Sequence, residues 1–208
     1  MKLLLWALLA WPLKISAGEI QAVVKEASGK PVRDAVVFIY EVKGATFAAP
    51  SAPAVMNQIR QELVPHVLPV LAGTSVRFPN QDNIHHQLYS FSKTKTFELP
   101  LYKDTEPKPV LMDKSGIVTL GCGIHDWMRG YILVLDNPYF AKTGDDGAAT
   151  LTGVPEGEYR VVVWSERLKE PVEATSQNVT VGPQPAQVQF PPKLGPVRKS
   201  TRPVVSGY

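Results

Sequence analysis

Short apolar, β-branched runs cut apart by turn formers constrain this chain more than any other feature. The runs lie at residues 20–24, 35–42, 75–78, 117–120, 131–135 and 159–164. Between them stand Ser28-Gly29-Lys30-Pro31, Lys114-Ser115-Gly116, Thr143-Gly144-Asp145-Asp146-Gly147 and Pro155-Glu156-Gly157. Segments this short cannot bury a helical face, whereas β-branched side chains pack well on a pleated surface and Gly, Pro and Asp reverse the chain. Short strands at such spacing predict an all-β sandwich or barrel architecture. Residues 54–63 are the one stretch with helical character. Residues 48–54, rich in Ala and Pro, read as a linker.

The N-terminus sets the compartment. Residues 1–17 read MKLLLWALLAWPLKISA, with Lys2 ahead of an apolar core and small residues at the end. The core is well short of the roughly 20 apolar residues that span a bilayer. It predicts a secretory signal peptide cleaved after Ala17, and hence a periplasmic or otherwise exported protein. No later segment is apolar enough to cross a bilayer, so no membrane span is expected after cleavage. The chain has 22 basic and 19 acidic residues. Loss of Lys2 and Lys14 brings these close to balance, which gives no reason to expect nucleic acid as a partner. What basic excess remains lies in 191–208, where Lys193, Arg198, Lys199 and Arg202 occur without an acid. Its Pro and Gly content predicts a disordered tail.

Cysteine usage narrows the chemistry. Exported proteins meet an oxidising compartment and normally pair their cysteines. This chain has a single one, Cys122. It has no partner within the chain and is therefore buried and inert, intermolecular, reactive or held by a metal. All four histidines, His66, His85, His86 and His125, fall within 56–136 beside it. The stretch IVTLGCGIHDWMRGYILVL (117–135) places Cys122, His125 and Met128 on one tight loop between strands, as Cys-x2-His-x2-Met. Upstream, FPNQDNIHHQLYS carries His85 and His86 after an Asn- and Asp-bearing turn. One thiolate and two imidazoles with a weak axial thioether form the ligand set of a mononuclear blue-copper site. Thiolate and thioether favour Cu(I) and imidazoles accept Cu(II), so the mixture suits one-electron exchange.

These two stretches resemble the cupredoxins, specifically the plastocyanin-like proteins of methylamine-utilisation type, over roughly residues 63–136. The resemblance implies a Greek-key β-sandwich binding one copper ion. In that family an Asn-x-Asp turn precedes the first ligand histidine. Asn80 and Asp82 match it, which implies His86 as ligand, followed by Gln87 and Leu88, with His85 on the opposite face of the strand. Cys122 and His125 carry over as the second and third ligands, and Met128 as the axial one. Two departures stand out. Only Asp126 and Trp127 separate His125 from Met128, where the family usually has four residues, and Gln87 replaces the more usual Asn. The flanking segments, with GKPVRDAVVFIYEV and TGDDGAATLTGVPEGEYRVVVWSERL, resemble the two halves of a small transthyretin-like, carboxypeptidase-regulatory-type sandwich. The expected organisation is a signal peptide (1–17), a transthyretin-like sandwich (18–47 and 137–190), a cupredoxin unit (56–136) and the basic tail.

The function expected from this set is electron transfer by a type 1-like copper site docking transiently on a redox protein, with no catalytic residues and no enzymatic role. The alternative is a copper carrier or sensor without electron transfer. A His2Cys zinc site with an open position would support hydrolysis, but no general base is evident. Cys122 and His125 sit too close on one turn for a cysteine hydrolase. His66 reads as a hydrogen-bonded structural histidine, Asp126 and Arg129 as groups that tune or cover the site, and Asp145-Asp146-Gly147 as a hairpin turn.

Overall fold

Several strands are buried on both faces, and this decides how the chain is layered. The runs VVFI (36–39) and VVVW (161–164) are buried at every position, as are the residues from Gly130 to Leu135. A strand against solvent alternates buried and exposed residues; a continuous apolar run needs cover on both sides. The computed structural model describes residues 17–197, so the signal segment up to residue 16 and the tail from residue 198 lie outside the described residues.

In chain order the strands are β1 (Ala17–Val24), β2 (Val36–Ile39), β3 (Ala54–Val55), β4 (Asn57–Ile59), β5 (Glu62–Val64), β6 (Val67–Leu71), β7 (Thr74–Arg77), β8 (Leu88–Phe91) and β9 (Thr96–Glu98). They continue as β10 (Val110–Met112), β11 (Gly116–Cys122), β12 (His125–Leu135), β13 (Phe140–Lys142), β14 (Ala148–Pro155), β15 (Gly157–Trp164), β16 (Gln177–Val181) and β17 (Ala186–Phe190). The one helical piece among the described residues is a 3-10 turn at Val172–Thr175, and no helix there is long and apolar enough to cross a membrane. The chain is all-β.

Four larger sheets enclose two cores. Sheet β14-β1-β17 faces β13-β2-β15-β16 over a core that includes Ile20, Val24, Ile39, Leu151, Val161, Val181 and Phe190. Sheet β6-β12-β11-β8-β9 faces β10-β7-β3 over Met56, Val76, Phe78, Leu88, Met112, Leu120, Cys122, Met128 and Ile132. The chain leaves the first sandwich after β2 and re-enters at β13, which pairs directly with β2. The backs of the two sandwiches meet in a third apolar cluster. Val36, Phe38, Val162 and Trp164 from one pack on Val67, Tyr131, Leu133 and Leu135 from the other. This joint explains the doubly buried runs. His66 braces it, with its Nε2 3.2 Å from Glu166 Oε2 and its ring edge-on to Tyr131.

The helical expectation for 54–63 is incorrect. The segment forms β3 and then the β4–β5 hairpin, with Arg60 and Gln61 as the two-residue turn. Both have positive φ, 54° and 60°, as the mirror-image turn of a tight hairpin requires. The turn is held from outside: both backbone N–H groups donate to the carboxylate of Asp82. Asp145-Asp146-Gly147 forms a turn, with the Ala148 N–H donating to Asp146 Oδ1, but it is not the hairpin expected: β13 and β14 lie in different sheets, so the turn carries the chain from one layer to the other.

Candidate metal centre

The pairing of β11 with β12 builds the first half of the site. Cys122 ends β11, His125 begins β12, and Gly123-Ile124 closes the hairpin between them. A Cys and a His in such a turn face the same end of the sheet. The glycines on either side of the cysteine give room for close approach. A Cβ at Gly121 would stand 2.8 Å from the Tyr89 ring, and one at Gly123 2.7 Å from Gln87 Oε1. His86 arrives from the segment preceding β8, whose Leu88 pairs with Cys122. Its backbone exchanges both hydrogen bonds with Tyr102, at 2.9 Å each.

These elements bring three donor atoms together. Cys122 Sγ lies 3.7 Å from His86 Nδ1 and 3.6 Å from His125 Nδ1. The two Nδ1 atoms are 3.1 Å apart. His86 and Cys122 are buried, and His125 keeps an exposed edge. The group can coordinate one metal ion. The separations suit it: metal–sulfur and metal–nitrogen bonds of about 2.3 and 2.0 Å, opened by about 120°, span roughly 3.7 Å. An N–N separation near 3.1 Å corresponds to an angle of roughly 100°.

Hydrogen bonds prepare each donor. His86 Nε2 is 2.9 Å from Asp82 Oδ2. An N–H there donates to the carboxylate. Nδ1 faces the Cys122 sulfur, and on metal binding it would turn its lone pair to the metal, the carboxylate–histidine–metal arrangement that fixes tautomer and ring orientation. Asp82 is itself held by the Arg60 and Gln61 N–H groups, and its own N–H donates to Asn80 Oδ1 at 2.9 Å. Burial pushes the Asp82 carboxyl up, but the Gln61, His86 and Arg60 donors outweigh it and keep it below its ordinary value. Desolvation pulls His86 down, yet Cys122 and Asp82 raise it overall. For Cys122, burial pushes the thiol up. Hydrogen bonds from His86, the Ile124 and Gln87 backbone N–H groups and His125 prevail and bring it to about 6. A thiolate is therefore available at neutral pH, the form that binds metal.

His86, Cys122 and His125 converge, while His85 is exposed beside them. Met128 is buried in the same core as Cys122, and the two share the wall of a cavity of about 260 Å³, together with Asp126 and Arg129. His66 stands apart at the joint with Glu166. Gln87 serves the sulfur through its backbone N–H and sends its side chain to Glu98, so the missing Asn leaves that hydrogen bond intact. Sequence reasoning marks Asp82 only as part of a turn and misses that it orients His86. It also misses Tyr102, whose OH donates to Phe78 O and accepts from Gln58 Nε2 in the buried bracket behind His86.

The donor chemistry selects among metals. A mixed N/S site binds Cu(II) ahead of Zn(II) in the Irving–Williams order, and a thiolate with a nearby thioether favours Cu(I). No protein-family profile matches the sequence, and no curated protein matches it. Among solved structures, a copper-containing nitrite reductase from Thermus scotoductus SA-01 aligns with 56% of this chain at 23% identity and a TM-score of 0.40. The chain spans 28% of that protein's length. A reduced Cu(I) form of an amicyanin point mutant aligns with 47% of this chain and 97% of its own, at 18% identity and a TM-score of 0.37. An oxidised form of a different amicyanin mutant aligns with 49% of this chain and 98% of its own, at the same identity and TM-score.

Proposed function

We propose that this chain is an exported, periplasmic cupredoxin that holds one copper ion and transfers electrons. The observation that carries the proposal is the convergence of Cys122 Sγ, His86 Nδ1 and His125 Nδ1. Those three atoms would hold the copper ion, and Met128, buried in the same core as Cys122, would be its weak fourth ligand. When bound, copper supplies a one-electron Cu(I)/Cu(II) couple. The chain's part is to keep the ligands still. Asp82 holds the His86 ring, the Ile124 and Gln87 N–H groups hold the sulfur, and the β11–β12 ladder fixes Cys122 against His125. A site that does not rearrange exchanges an electron at little cost.

The exposed edge of His125 is the port. Close in the chain to the site residues, Ile84, Leu101 and Ile124 are exposed, at 38%, 54% and 50%. Each lies within two residues of a ligand or of Tyr102, which brackets His86. A small apolar rim suits brief docking on a redox protein, since it buries area without charged pairs that must be desolvated. The role is that of a carrier with no catalytic residues. Residues 56–136 form the copper unit, 18–47 and 137–190 a transthyretin-like sandwich that bears it, 1–17 a signal peptide and 191–208 a basic tail.

Voltammetry of the copper-loaded protein tests the role. Electron transfer predicts a reversible one-electron wave. A tight Cu(I) complex with no accessible reoxidation would instead indicate a copper carrier or sensor.

A further inference from the structure

The joint between the two sandwiches does not close completely. At one end it leaves a cavity of about 500 Å³, within the size range of small-molecule sites, which favour such boundaries between packed units. The cavity lies far from the metal donors. Gly116 at the start of β11 lines it, and Cys122 ends the same strand, roughly 20 Å away at the rise of an extended chain.

Its lining is chemically one-sided. Phe38, Tyr40 and Trp164 supply aromatic wall, and Phe38 and Trp164 are also part of the buried joint. Glu41, Asp136 and Glu173 stand exposed on its rim, and no described Lys, Arg or His lines it. The aromatic wall already takes a cation from within the chain: the Arg160 guanidinium carbon sits 3.7 Å from the centroid of the Tyr40 ring. The same Tyr40 donates its OH to Glu173 Oε1 at 2.9 Å, which holds one rim carboxylate against the aromatic wall. Aromatic faces carry negative quadrupole potential and attract cations, most strongly where water is excluded. Carboxylates at the mouth add attraction of the same sign. Arg160 offsets part of this at Tyr40 and Glu173, which leaves Glu41 and Asp136 as the uncompensated charges of the mouth, so an anion is disfavoured there.

We infer that this cavity is a binding site for a small organic cation, an ammonium group carried on an apolar body. The apolar part enters between the aromatic side chains and the charge stays at the mouth, facing Glu41, Asp136 and Glu173. The site is independent of the copper ligands and stands or falls separately from the electron-transfer proposal.

Calorimetric titration of the full chain with three probes of matched ring size tests it: benzyltrimethylammonium, benzyl alcohol and benzenesulfonate. The expected result is one-to-one binding of the cation, weaker binding of the alcohol and none of the sulfonate. Binding of the cation should move the Trp164 indole N–H resonance. The rim variant Glu41→Gln/Asp136→Asn/Glu173→Gln changes only exposed side chains, so the fold survives it. Its affinity for the cation should fall by about tenfold, as the charge interactions at a partly exposed mouth are lost. Failure of the cation to bind, equal binding of all three probes, or unchanged affinity in the rim variant would each overturn the assignment.

Discussion

Asp82 touches no donor of the candidate metal group except His86, yet it links that histidine to the rest of the fold. Its two oxygens take N–H groups from Arg60, Gln61 and the His86 ring. Asp82→Asn keeps the shape but weakens these bonds and removes the charge that orients the imidazole. Copper affinity should fall by about 10- to 100-fold, as read by competition with a chelator, while the colour of the saturated protein persists. His85→Ala should leave that affinity unchanged, because His85 faces solvent. The sulfur makes a second prediction. With its thiol brought down to about 6, the metal-free protein should show thiolate ultraviolet absorbance rising through about pH 6. A midpoint in the ordinary thiol range would mean that the N–H donors do not reach the sulfur. Met128→Leu should shift the potential of the copper protein and leave its thiolate absorption in place.

At the scale of elements, the β4–β5 hairpin joins fold and site. Two successive non-glycine residues in left-handed conformation cost roughly 1–2 kcal/mol each, and the Asp82 carboxylate offsets part of that by accepting both turn N–H groups. Gln61→Gly keeps the N–H and removes the steric strain. It should raise stability by about 0.5–1 kcal/mol in denaturant titration with copper affinity unchanged. A loss of stability would mean that the Gln61 side chain matters more than its backbone. The same hairpin marks where the sequence becomes illegible. The six β-branched runs announce their strands, because Val, Ile and Tyr pack on pleated surfaces and Gly- or Pro-bearing turns flank them. Asn57-Gln58-Ile59-Arg60-Gln61-Glu62 carries no Gly, Pro or Asn-Gly signal at its turn. Its conformation depends on an acceptor 21 residues away in the chain. Cys122 and His125 are legible for the opposite reason, since one hairpin presents them three residues apart. His86 needs the neighbouring Asn80 and Asp82 to be told from His85.

For the molecule as a whole, the joint is the element that makes two sandwiches one body. Trp164 is buried there against Tyr131, with ring centroids 5.6 Å apart. Trp164→Ala should therefore cost about 3–5 kcal/mol, seen as a lowered unfolding midpoint. The His66–Glu166 pair adds a pH-dependent share. The hydrogen bond to Glu166 raises His66 above its ordinary 6.5, and the bond to His66 lowers Glu166 below its ordinary 4.5. The His66 contribution is complete below 6.5 and is lost as pH rises through the raised value. The Glu166 contribution is complete above 4.5 and is lost as pH falls through the lowered value. Glu166→Gln should therefore destabilise the metal-free protein most between about pH 4.5 and 6.5 and least at alkaline pH. With both side chains partly exposed, the effect stays small. A difference in melting temperature that does not vary with pH would exclude the pair as its source.

The central claim is a metal centre built on Cys122, His86 and His125, and combined optical and paramagnetic-resonance spectra of the copper-loaded protein test it most directly. The account predicts an intense visible thiolate-to-copper band and a mononuclear Cu(II) resonance, both lost in Cys122→Ser. Colourless protein after copper loading, or the same spectrum in Cys122→Ser, would contradict it.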